Sequence, residues 1–204
     1  LDHLRTQDTH PPLDYLLRAP LARSGASAVV LRAPSFVFSC GALVTFAWWM
    51  RARGLAGVLA TAVLAGSAFQ IYHGGEARMY ALLELLGVVS AVTAERWLSG
   101  DDAPGWCTWA AGGLVALALF DHVSGFLLAA GMLAVAGCRV DRRAWEWRGV
   151  LGGAFLLWAV VWGSSFADQA GNDWVGWIPR TSPGSFARAV SGQVTDVEPL
   201  AWLV

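Results

Sequence analysis

Lysine is absent from this chain of 204 residues; all 14 basic residues are arginine. Charge of either sign is scarce, at 14% of residues. A soluble domain carries about a quarter. With a net charge of -1 and no basic arm or stripe, nothing points to nucleic acid. Three cysteines, Cys40, Cys107 and Cys138, stand alone in or beside apolar runs. They lack disulfide or metal-ligand spacing and read as small packing residues. No internal repeat, low-complexity tract or signal peptide is visible. The inverted repeats common in transporters are missing as well. The lack of lysine in an Ala-, Gly- and Trp-rich chain fits a GC-rich coding bias.

What is present is apolar: 56% of residues, with a mean hydropathy of +0.49. These residues come in blocks rather than amphipathic stripes, the pattern of a membrane protein. A spanning helix needs roughly 20 mostly apolar residues. Residues 29–50, 55–72, 77–98 and 149–167 qualify. The run 106–138 is too long for one span and is interrupted by Asp121 and His122, so it divides into 106–120 and 123–138. The expected fold class is therefore all-α: a polytopic transmembrane helical bundle of about six spans. Residues 1–28 would form an outer loop, 29–167 the membrane domain, and 168–204 the start of a second outer loop.

Six spans alternate the loops between two sides. Arginines divide seven and seven, but Arg51, Arg53, Arg139, Arg142, Arg143 and Arg148 crowd the short loops of one side. By the positive-inside rule that side is cytoplasmic. Trp48, Trp49, Trp97, Trp106, Trp145 and Trp147 fall near span ends, where indole favours the headgroup zone. Within the first outer loop, "THPPLDYLLRAPLARSG" (9–25) interleaves Leu13, Leu16 and Leu17 with Asp14, Arg18 and Arg23. Pro12 can start a helix. It is too short and charged to span, so it is expected to lie along the interface.

Four polar clusters then share the outer side. "QDTHPPL" (7–13) brings Asp8 and His10; "LRAPS" (31–35) brings Arg32. "HGGEARMY" (73–80) brings His73, Glu76, Arg78 and Tyr80, and the turn after residue 120 brings Asp121 and His122. Each has a plain reading: a solvated turn, a snorkelling arginine, charges at a helix start, a hairpin tip. Charges at mid-bilayer cost on the order of 2.5–3.5 kcal/mol each, so chains keep them where they pair, reach water or do work. Together they supply carboxylates, imidazoles and guanidinium groups at a lipid boundary. That set suits a reaction on a lipid-borne anion. Arginine binds phosphate through a planar fork of donors. A carboxylate can accept a proton from an attacking hydroxyl or hold a divalent cation beside the phosphate.

"DTHPPLDYLL", "LRAPS" and "EARMYAL", in that order, resemble the membrane glycosyltransferases of the GT-C class. More narrowly, the chain is similar to the protein O-mannosyltransferase and aminoarabinose-transferase-like family. "LFDHVSGFLL" (119–128) and "WIPRTSPGSF" (177–186) resemble later family segments, with Asp121 and Val123 where the family has aromatics. The resemblance implies transfer of a sugar from a polyprenyl-phosphate donor, with inversion, to a protein, lipid or glycan acceptor on the extracytoplasmic face of the cell membrane. Asp8, His10 and Glu76 would then be catalytic. Arg32, His73, Arg78, Tyr80 and His122 would bind substrate. No cofactor follows beyond a possible divalent cation, Mg or Mn.

The family's main acidic pair follows an earlier span, which would fall before Leu1. The chain, beginning without Met and closing on "EPLAWLV", is expected to be a piece of a longer protein and inactive by itself. The competing expectation is a transporter or lipid-handling protein, whose intramembrane charges would mark a substrate path. The charges favour the transferase, because they gather at one surface and not at the midplane.

Overall fold

The computed structural model describes residues 12–98, 106–122, 124–138, 140 and 142–171. Among these the chain is all helix, with no strand. Asp8, His10 and the stretch 172–204 lie outside the described residues.

Helix α1, Leu13–Arg23, begins directly after Pro12, as the fixed proline φ favours. Its faces are set the opposite way to those of a helix on a water-soluble core. Asp14 and Arg18 are buried, while Leu16 and Leu17 are 53% and 44% exposed. An ion pair turned inward and leucines turned outward suit a helix lying against lipid. Gly25, at a φ of 72°, turns the chain out of α1.

Helix α2, Ala28–Met50, is 23 residues long, about 35 Å at the usual rise. A short 3-10 turn, Arg51–Arg53, and Gly54 at a φ of 58° follow. Only glycine adopts that backbone without strain. The chain reverses there. A Cβ on Gly57 would run into the Met50 carbonyl, although two residues seven apart in a straight helix stand about 10 Å apart.

The apolar run 55–72 is not one helix. It divides into α3, Gly54–Ala65, and α4, Ala68–Gly75. Ser67 caps α4 by accepting a hydrogen bond from the Gln70 backbone N–H, the usual role of serine at that position. Together α3 and α4 run back along α2, so that Gln70 and Gly74 meet Ser39 and the Arg78 carbonyl meets Ser35.

Helix α5, Tyr80–Leu98, starts three residues later than the run 77–98 suggested. It lies parallel to α2, with Leu85 against Gly41 and Glu95 beside Trp49 and Arg53. Helix α6, Trp106–Asp121, returns, and α7, Gly125–Gly137, leaves again. The long α8, Arg142–Gly171, packs on α6 and α7. The main core gathers Trp97, Val115, Leu119, Met132, Trp147, Trp158 and Trp162 from α5 to α8.

Polarity runs inside out. Ser35, Ser39, Gln70, Ser90, Thr93, Thr108, Asp121 and Ser165 are buried, whereas Val29, Val44, Leu55, Val63, Leu127 and Val160 are largely exposed. Apolar surface on this scale is the mark of a lipid-facing or covered exterior. Among the described residues, two stretches are long and apolar enough to cross a membrane, Ala28–Ala65 and Arg142–Ala167. The first counts 38 residues only if the reversal at Gly54 is ignored; its straight part is α2. Helices α6 and α7 are apolar but shorter, at 16 and 13 residues.

Two further sequence expectations change. Trp97 and Trp147 do not reach outward; they are 2% and 0% exposed and pack together with ring centroids 4.6 Å apart and planes tilted by 36°. Their size fills the junction of α5 and α8. Cys138 is exposed rather than packed, because it lies just past the end of α7. Trp48, Trp106 and Trp145 are outward, as expected.

Candidate functional site

One end of the bundle collects the polar segments between α1, the start of α2, the α4–α5 turn and the end of α6. Arg18 ties the first three together. Its Nε donates to both Asp14 carboxylate oxygens at 2.9 and 2.8 Å. One terminal nitrogen donates to the Leu31 carbonyl, the other to Ser35 Oγ at 2.7 Å and the Arg78 carbonyl at 3.2 Å. Pro34 lies inside the first turns of α2. A proline there has no N–H for the Val30 carbonyl; Arg18 donates to the next carbonyl, Leu31, and to the Ser35 hydroxyl. A buried guanidinium with a paired carboxylate and further acceptors is the arrangement that tolerates desolvation.

Beside this hub runs a chain of rings. His73 lies 4.4 Å from Tyr80, centroid to centroid, and Tyr80 lies 5.3 Å from His122. Phe69 and Tyr72 flank His73 at 4.5 and 5.0 Å. Glu76 closes the group, 3.3 Å from His73 Nδ1, and also receives the Tyr72 hydroxyl. His122 Nδ1 is held by the Ser124 backbone N–H at 3.0 Å, with Ser124 Oγ at 2.9 Å. Of the candidate residues, His73, Glu76, Tyr80 and His122 are thus brought into one contiguous group. Arg32 and Arg78 have exposed side chains with no ion-pair partner among the described residues. The Arg78 backbone, however, is fixed by Arg18 and Ser35. Asp8 and His10 lie outside the described residues.

Asp121 is the first residue beyond the apolar run 106–120. It is fully buried, and neither carboxylate oxygen has a hydrogen-bond partner. Burial pushes its carboxyl up to about 8; Asp14 adds to the rise and Arg18 opposes it.

Sequence reasoning placed Asp14 and Arg18 on an interfacial helix but did not mark them as a structural hub. Their four-residue spacing, the ion-pair distance on a helix, was the available signal. Tyr72 and Gln70 were also missed, because they end an apolar run that reads as plain span. Gln70 Nε2 donates to the Ser39 carbonyl and hydroxyl at 3.0 and 2.5 Å, leaving its Oε1 without a partner.

Two surface grooves, of about 650 and 440 Å³, lie elsewhere. The larger runs between α6 and α8 over Gly113, Gly149 and Gly153, the smaller between α5 and α6 beside Trp48. Both are apolar and neither touches the His73–His122 group. Among the described residues no group of three His, Cys, Asp or Glu could hold a metal ion; Asp8 and His10, two of the candidate donors, lie outside them. No protein-family profile, no curated protein and no solved structure matches the chain.

Proposed function

We propose that the chain is the membrane-embedded part of a glycosyltransferase that takes its sugar from a polyprenyl-phosphate donor. The helices α2 to α8 would form about six spans, with the His73–His122 group on the extracytoplasmic face. One observation supports this most: Glu76, His73, Tyr80 and His122 meet at a single end of the bundle. In that reading an acceptor hydroxyl attacks the anomeric carbon, the bond from that carbon to the phosphate oxygen breaks, and a carboxylate takes the hydroxyl proton. Glu76 would align or deprotonate the acceptor. Arg78 and Arg32, exposed at the same end, would receive the departing phosphate, whose charge is the largest demand of the step. Asp8 and His10 would join them from the first loop. A possible Mg or Mn ion would assist the phosphate; its donors are not assigned.

The test is transfer by the purified intact protein from a panel of polyprenyl-phosphate sugars, with labelled product as readout. The reading expects one donor to be used and Glu76→Gln to lose the activity while remaining folded. No turnover with any donor, or full activity in the variant, rejects it.

The transporter reading draws on a different observation. The helix break at Gly66–Ser67 and the buried, half-satisfied Gln70 resemble the broken helices of transporter sites. Uptake into sealed vesicles without any covalent product would favour it.

A further inference from the structure

Among the described residues, Asp121 is the fully buried charged side chain at the polar end with both carboxylate oxygens unpartnered; Glu84, one turn into α5, is half-buried with one oxygen unpartnered and does not act on Asp121. Helix α1 packs directly on α6, over the end that carries this residue. The Asp14–Arg18 pair on α1 is already complete: Arg18 has its carboxylate, and its remaining donors go to Leu31, Ser35 and Arg78. Asp121 therefore meets a neutral pair that offers it no hydrogen bond. An ionised carboxylate there would be desolvated and unpaired, a cost of several kcal/mol that chains avoid by protonation or by letting water in.

We propose that Asp121 is a proton-controlled latch for α1: its neutral carboxyl lets α1 seat over the end of α6, and its ionisation drives α1 off. Of the elements packed against α6, only α1 brings charge to Asp121 among the described residues, through Asp14 and Arg18; α5, α7 and α8 bring none. Its chain neighbour His122 is occupied with Ser124 and Tyr80. Seating α1 also fixes the candidate site, because Arg18 holds the Arg78 carbonyl two residues before Tyr80. Asp8 and His10 directly precede α1 in the chain. The latch is independent of the reaction proposed above.

The direction follows from linkage. The seated state holds the carboxyl at about 8, against about 4 when it meets water. Seating is thus fully favoured below about pH 4, weakens as pH rises, and levels off above about 8. The experiment is hydrogen exchange by mass spectrometry on the intact protein in detergent, from pH 5 to 9. Rates are divided by the intrinsic rate at each pH. The protection of peptides covering α1 should fall by up to about tenfold per pH unit until about pH 8, while peptides from α2 stay constant. Asp121→Asn should make the α1 profile flat. A flat profile in the unaltered protein overturns the proposal, as does a variant that keeps the same decline. Should the variant not fold, the unaltered protein decides alone: a decline confined to α1 supports the latch, and a decline shared with α2 rejects it.

Discussion

The Arg18 guanidinium donates to the Arg78 carbonyl at 3.2 Å, joining residues sixty positions apart. The bond links α1 to the turn that carries Glu76 and Tyr80. It also explains how a short α1 stays attached while its leucines face outward.

Removing Arg18 should therefore be costly. Arg18→Ala leaves the Asp14 carboxylate buried and strips donors from Leu31, Ser35 and Arg78. Breaking a buried pair in this way costs about 3–5 kcal/mol. Asp14→Ala/Arg18→Ala should recover part of the loss, because no unpaired carboxylate remains. Thermal unfolding of the parent, Arg18→Ala, Asp14→Ala and the double variant in one detergent measures the coupling. A single variant as stable as the parent removes the hub from the account.

The α2–α4 contact makes a second, sharper prediction. A Cβ on Gly74 would stand 2.7 Å from Ser39 Oγ, while one on Gly75 would meet nothing within 4 Å. Gly74→Ala should destabilise by about 1–3 kcal/mol, as over-packing does. Gly75→Ala should be neutral or slightly stabilising, since it stiffens the unfolded chain. The two neighbours differ only in what they face, so equal unfolding temperatures would show that α4 does not lie against Ser39.

Several of these features were readable before the fold was known, and others were not, for identifiable reasons. The start of α1 at Pro12 was readable because proline acts locally. The gathering of His73, Glu76, Tyr80 and His122 was readable from alternation of the runs, which sends both turns to one end. The break between Ala65 and Ala68 was hidden because no charge or proline interrupts 55–72. Trp97 and Trp147 misled because an indole at a helix end suits a headgroup zone and a core equally well. The isolation of Asp121 depends on α1, which arrives from the far end of the described chain.

If the proposed transfer is right, Tyr80 and Glu76 should separate into different behaviours. Tyr80→Phe keeps the ring between His73 and His122 and should retain most activity. Glu76→Gln keeps the shape but not the base, and should lose about 10²–10⁴-fold in rate, the usual contribution of a positioned proton acceptor. Unfolding temperatures should be close to the parent in both, since Glu76 is only half-buried. Loss of activity in Tyr80→Phe with Glu76→Gln still active would make the hydroxyl of Tyr80, and not the carboxylate, the reactive group.

The opposite end of the bundle should behave as structure alone. Trp147 is fully buried against Trp97, and its indole N–H donates to the Met132 carbonyl at 3.0 Å. Trp147→Ala should cost about 3–5 kcal/mol, the range for emptying such a volume. Trp147→Phe keeps part of the ring contact but leaves that carbonyl without its donor, and should lie between the two. Glu95 at the same end pairs with Arg53 through side chains that are 51% and 41% exposed for Arg53 and Glu95. Water screens such a pair, so Glu95→Gln should change stability by about 1 kcal/mol or less. Unfolding curves for the three variants should therefore rank Trp147→Ala lowest and Glu95→Gln beside the parent. The reverse order would mean that α5 and α8 are held together by charge at their ends and not by the packed indoles.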